Sequence, residues 1–243
     1  MKVRYFFSLC FLILVGVSCS RQEASQEIQA LSLSYLETEQ GVDPYPVRML
    51  VTDRFLRLDD GAGSTDYLLF NREDKAIYSV TTEDQRVLKI PFRKMTLNKA
   101  SGPVVAVVEN KAEDLPTFMN QHATHHSLLV GKNQCYNVVA VAGLYPDAVM
   151  AMREYLLTLA GEQAVNLNKT PVDMQEPCML SNLVFSPLKH LEYGFPLREW
   201  DYRGYVRELL NVETVTVDTS LFKVDPTYQV LMITADGLAA ADP

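Results

Sequence analysis

No hydrophobic run in this sequence reaches the roughly 20 residues that a membrane-spanning helix needs; the longest, at residues 5–17, falls short. Basic residues are in the minority, 22 Lys and Arg against 30 Asp and Glu, for a formal charge of −8. That balance argues against nucleic acid, or anionic lipid headgroups, as partners held by charge. There is no G-x-S-x-G, no H-E-x-x-H and no C-x-x-C, so the nucleophile elbow, the zinc-protease helix and the zinc-ribbon or redox pair are all missing. No cofactor-binding fingerprint stands in their place.

The apolar run instead has the anatomy of a cleaved leader. Lys2 and Arg4 precede it, and it ends in the small residues Gly16-Val17-Ser18 before Cys19. This ending resembles the lipobox of bacterial lipoproteins, with Gly16 departing from the usual leucine. The resemblance implies a signal peptide at 1–18, diacylglyceryl attachment to Cys19, and a lipidated tether over 19–27; the small residues by themselves also fit ordinary cleavage after Ser18 or nearby, which would release a soluble protein. Several acyl chains on one residue would make detachment from a membrane slow, because each buried methylene adds about 0.8 kcal/mol. Ser20 follows the cysteine, where aspartate resembles an inner-membrane retention signal. The expected address is therefore the periplasmic face of a Gram-negative outer membrane. Loss of Lys2 and Arg4 takes the formal charge from −8 to −10.

Cysteine counting then acquires a meaning. Cys10 leaves with the leader, and acylation of Cys19 leaves Cys135 and Cys178 as an even pair. In an oxidising compartment they are expected to form one disulfide, contributing roughly 4 kcal/mol in the chain-entropy model.

Hydrophobic content of 48%, with twelve tyrosines and ten phenylalanines, suits a domain that buries a core. Period-two alternation, as in Leu31, Leu33 and Tyr35, predicts strands at 28–38, 45–52, 55–58, 66–70, 75–80 and 86–90, joined by short polar turns. Further strands are expected at 103–108, 135–141, 197–202, 205–210 and 212–217. The segment 109–126 reads as loop with a short helix. The main helix is expected at 146–160, opened by Pro146 and stopped by Gly161, with a shorter one in 178–191 broken near Pro187. The order predicts one α+β domain over 28–235, with a single large curved antiparallel sheet and helices over one face, and a free tail at 236–243.

The run Val51-Thr52-Asp53-Arg54-Phe55-Leu56-Arg57-Leu58-Asp59-Asp60-Gly61, continuing through Tyr67-Leu68-Leu69-Phe70 and Ala76-Ile77-Tyr78-Ser79-Val80, is similar to the early strands of LolA/LolB-like half-barrels. The closing Leu221-Phe222-Lys223-Val224-Asp225-Pro226-Thr227-Tyr228 resembles the end of many such domains. The likeness spans about half of the chain beyond the leader and rests on strand lengths and turns. It implies a sheet that cradles acyl chains.

Three local motifs point to chemistry and lose to simpler readings. Ser186-Pro187-Leu188-Lys189 fits S-x-x-K, but Lys169-Thr170-Pro171 is not K-T-G and precedes the serine. His122, His125 and His126 would converge on one side of a helix, yet no acidic residue has matching spacing, so solvated histidines are expected. Asp59, Asp60 and Asp66 have the hard oxygens calcium prefers, but their glycine-rich surroundings read as a hairpin turn. One feature bears on binding: residues 47–51 and 67–70 are apolar at both alternating phases, so both faces of their sheet must be covered. Val47, Met49, Val51, Tyr67 and Leu69 are the candidate ligand-binding residues should part of that cover be an open hollow. The expectation is a non-catalytic lipoprotein that binds a lipid, acyl chain or hydrophobic segment; the alternative is a scaffold docking an envelope protein. An envelope hydrolase has the least support.

Overall fold

The computed structural model describes residues 26–63, 65–95, 102–110, 115, 117–167, 169–234 and 237–240. The expected leader and Cys19, with most of the expected tether, lie outside the described residues. Strands β1 (Glu27–Thr38), β2 (Tyr45–Val51), β3 (Phe55–Asp59), β4 (Tyr67–Asn71), β5 (Ala76–Thr81) and β6 (Arg86–Pro91) form an antiparallel meander. Next come β7 (Val105–Asn110), β8 (Thr117–Phe118), β9 (Gln121–His122), β10 (Thr124–Val130) and β11 (Asn133–Val141). A long helix α1 (Pro146–Leu167) and a single-turn helix α2 (Pro177–Leu180) precede β12 (Phe195–Asp201), β13 (Val206–Asp218), β14 (Gln229–Thr234) and β15 (Gly237–Ala240). The protein is mostly β: thirteen strands make one mixed, unclosed sheet in the order β15-β14-β6-β5-β4-β3-β2-β1-β13-β12-β11-β10-β7.

The expectation of a wholly antiparallel sheet fails at one place. β14 pairs in parallel with β6. After β13 the chain crosses the face of the sheet through the turn Thr219–Phe222 before reaching the far edge. A connection of that kind is what a parallel pair requires, whereas a hairpin would have returned it antiparallel. Residues 237–240, read as part of a free tail, instead pair with β14 as β15.

The doubly apolar strands have two covers. Leu33, Met49, Leu56, Phe70 and Ile77 lie on one side and pack with Ala148, Ala151 and Met152 of α1. On the other side Ala30, Leu50 and Leu69 pack with Phe222, whose ring stacks on Phe55 at 5.5 Å. Alternation at period two explains the split, since neighbours in sequence point to opposite faces.

Two further departures have local causes. The break read between 205–210 and 212–217 is a bulge within the single strand β13: Ser34 pairs with Asn211 but Tyr35 with Leu209. The extra residue, Leu210, resets the phase, so that Leu209 and Val212 both pack on the α1 side. Gly161 does not stop α1, which runs on to Leu167. A Cβ there would lie 2.4 Å from the Arg93 carbonyl oxygen, so glycine at this position admits a close backbone crossing.

Candidate functional site

A cavity of about 820 Å³ lies on the α1 side of the sheet. Its apolar wall includes Val47, Met49, Leu58 and Leu68 from the meander, facing Leu156 and Leu159 of α1. Its border runs through strands from β5, at Ser79 and Val80, to β10, at Leu128. The segment after α2 closes part of the rim with Asn182 and Leu183. A disulfide between Cys135 and Cys178, with Cα atoms 5.0 Å apart, fixes that segment to β11, and the Asn182 side-chain amide donates to the Cys135 carbonyl at 3.0 Å.

One end of the cavity is polar, and strand register builds it. Glu37 of β1 pairs directly with Tyr45 of β2 and with Arg207 of β13, and Arg207 pairs in turn with Glu199 of β12. Directly opposed residues on one face lie within side-chain reach. The Arg207 guanidinium donates to Glu37 Oε1, with Nε at 2.7 Å and Nη2 at 2.6 Å. The Tyr45 hydroxyl donates to Glu37 Oε2 at 3.2 Å and also bonds Glu39. Glu199 Oε1 accepts from the Tyr136 hydroxyl at 3.1 Å and lies 3.5 Å from His190 Nε2.

Burial shapes the protonation of this group. It pushes the Tyr136 phenol well above its usual range, with Glu199 adding to the effect, so the hydroxyl remains a donor. It pushes Tyr155 up to about 12, and it raises Tyr35 and Tyr205 as well. Burial pulls His190 down, against the pull of Glu199, with Arg207 and Arg153 adding to the depression; its imidazole is neutral at pH 7. Burial also works against the charge of Arg207, but Tyr205, Glu37 and Glu199 outweigh it and hold the guanidinium protonated. Arg207 lies over the ring of Tyr35 at 5.3 Å, and the buried Tyr35 hydroxyl has no hydrogen-bond partner among the described residues.

The sequence-derived candidates are distributed over more than one place. Val47, Met49 and Tyr67 border the large cavity, while Val51 lines a second pocket of about 570 Å³ near the start of α1. Leu69 packs in the cluster around Phe222, with Tyr67 at its edge. The polar end was not among the candidates. A signal for it exists: Glu37 continues the phase of Leu31, Leu33 and Tyr35, which places a carboxylate on the apolar face. Arg207 shares the phase of Leu209 in the same way.

The three weighed motifs take simple places. Histidines 125 and 126 are consecutive in β10, not on a helix, so they face opposite ways. His125 is 3.3 Å from Asn137 Oδ1 and His126 stacks on Tyr193 at 3.8 Å. Among the described residues no three His, Cys, Asp or Glu side chains are grouped to hold a metal ion. Asp59 is bound by Arg48 and Arg57, at 2.8 and 2.7 Å, and Asp60 accepts from the backbone of Ala62 in the turn. Ser186 and Lys189 lie in a tight turn, the Lys189 amide donating to the Ser186 carbonyl. No described helix is long and apolar enough to cross a membrane.

No family profile matches the sequence, and no curated protein is similar to it in sequence. Distant structural similarity exists to PNGF-II in two crystal forms. It covers 84% of this chain and 31% of PNGF-II, at 9% and 10% identity, with TM-scores of 0.40 and 0.38. The chain thus spans about a third of the length of the solved structure it resembles.

Proposed function

We propose that this protein is a non-catalytic lipoprotein of the bacterial envelope that binds the apolar part of a lipid, an acyl chain or a hydrophobic segment in the cavity beneath α1. The cavity itself carries the reading: at about 820 Å³, with aliphatic walls on the sheet and the helix, it falls in the size range of pockets that enclose small organic ligands. That strands from β5 round to β10 border one hollow supports a sheet curved as a LolA/LolB-like half-barrel. The Cys135–Cys178 bridge is compatible with an oxidising compartment, and the Gly16-Val17-Ser18-Cys19 run supports anchoring at Cys19 on the periplasmic side of an outer membrane.

The test is uptake of the neutral apolar dye N-phenyl-1-naphthylamine by the purified protein, with Leu156→Trp as the blocking variant. Saturable uptake is expected, weakened about tenfold by the added indole, with an unchanged unfolding midpoint. No uptake, or uptake indifferent to Leu156→Trp, would refute the reading. The second reading, a scaffold that docks an envelope protein, draws on the edge strand β7, where Val108 is exposed. A discrete protein adduct on cross-linking in cells, without dye uptake, would favour it.

A further inference from the structure

Resting on that reading of the cavity, we propose that its ligand is an amphiphile with a primary ammonium head, received by Glu199 at the polar end. Charge pairing at this end of the cavity is incomplete. Glu37 and Glu199 flank Arg207 from the neighbouring strands, two carboxylates for one guanidinium. Arg207 gives both of its short contacts to Glu37 and makes no ion pair with Glu199. What Glu199 has instead is a phenol and a neutral imidazole, and both contacts fall on Oε1. Its side chain is 5% exposed. A buried carboxylate with no permanent counter-ion of its own among the described residues is costly, and the cavity is the open side from which one can come.

An ammonium group with three N–H donors would meet Glu199 Oε2 and bring the local charge of the Glu37–Arg207–Glu199 row to zero. Its apolar chain would extend along Met49, Leu58, Leu156 and Leu159, which line the same hollow. An anionic head has the opposite fate. Arg207 is already engaged by Glu37, and a carboxylate or phosphate entering here would confront Glu199 and Asp201.

Displacement of bound N-phenyl-1-naphthylamine by dodecylamine, dodecanol and dodecanoate at pH 7.5 tests this, with salt of about 0.2 M to screen the acidic surface. Dodecylamine is expected to displace the dye at concentrations about tenfold lower than dodecanoate, as a charge-assisted bond at a buried carboxylate allows. Glu199→Gln should abolish that preference. Equal displacement by amine and carboxylate, or an amine preference that survives Glu199→Gln, overturns the proposal while the cavity reading stands. The wild-type ratio decides even where the variant fails to fold. Absence of dye uptake takes away both the proposal and the reading beneath it.

Discussion

Arg207 and Glu37 are directly opposed across β13 and β1, and the guanidinium holds one carboxylate oxygen with two nitrogens, at 2.6 and 2.7 Å. They are separated by 170 residues in sequence. The Arg207 side chain is 27% exposed and that of Glu37 9%, the exposure of the arginine being toward the cavity it lines. Arg207→Met removes the only cation from a row that then holds two buried carboxylates. Breaking one partner of a buried pair costs about 3 kcal/mol, and the exposure of Arg207 lowers this to about 2. The double variant Arg207→Met/Glu37→Gln should lose less than the two single losses added together, since the second change removes the charge stranded by the first. Urea unfolding of all four proteins measures the coupling; strict additivity would contradict the ion pair.

His190 gives the polar end a pH dependence whose sign follows from its burial. Its folded pKa lies below the ordinary value of 6.5, chiefly by desolvation. The unfolded chain therefore binds the proton more readily than the folded one, and stability rises with pH over the window where they differ. The contribution is fully present above pH 6.5 and is lost as pH falls from there through the folded value. His126, depressed by burial as well, acts in the same direction. Melting temperatures at pH 7.5 and 5.5 should differ less in His190→Gln than in the wild type. An equal or larger difference in the variant would show that His190 is not the group responsible.

The Cys135–Cys178 bridge spans a sequence separation of 43 residues, which includes all of α1; the rim segment of the cavity begins just after Cys178. Closing a loop of that length contributes roughly 4 kcal/mol through the unfolded chain. Cys135→Ser/Cys178→Ser is expected to lower unfolding stability by about that amount. Dye uptake should also weaken, because Asn182 and Leu183 border the hollow from the strapped segment. A double variant with wild-type denaturant midpoint would mean that the packing around Cys135 and Val184, both buried, holds the rim unaided.

The meander β1–β6 is legible in the sequence because each strand alternates and each turn is short and polar, so local pattern and tertiary pairing agree. The cysteine pair is legible by counting, and the bulge in β13 shows itself as a break in phase that reads as the end of a strand. β10 is hidden, since Thr124-His125-His126-Ser127-Leu128 puts polar groups on both phases; a hydrogen-bonded group of Ser127, Asn137 and Gln134 satisfies part of it. The parallel seat of β14 on β6 depends on where the chain goes after Phe222, which no local rule contains. The polar end of the cavity is half-legible. Glu37 and Arg207 each occupy an apolar phase, but that Glu199 completes the row emerges only from the register of three strands.

Gly161 is where the local rule and the fold give opposite signs. In an isolated helix, alanine is preferred over glycine by about 1 kcal/mol, so Gly161→Ala in the middle of α1 should stabilise. Here the new Cβ would sit 2.4 Å from the carbonyl oxygen of Arg93, and 3.3 Å from its carbon and nitrogen. The obstacle is backbone, not the end of a mobile side chain, so the helix or the segment after β6 must move apart. Overpacking of this kind costs about 1–3 kcal/mol, enough to exceed the propensity gain. The expected outcome is a lower melting temperature for Gly161→Ala, with Ala160, equally buried in α1, tolerating Ala160→Gly at about the ordinary propensity cost plus the loss of a buried methyl group. Thermal unfolding of the two variants side by side separates the cases. Stabilisation by Gly161→Ala would mean that α1 does not pass so close to residue 93, and the seating of the helix that walls the cavity would have to be redrawn.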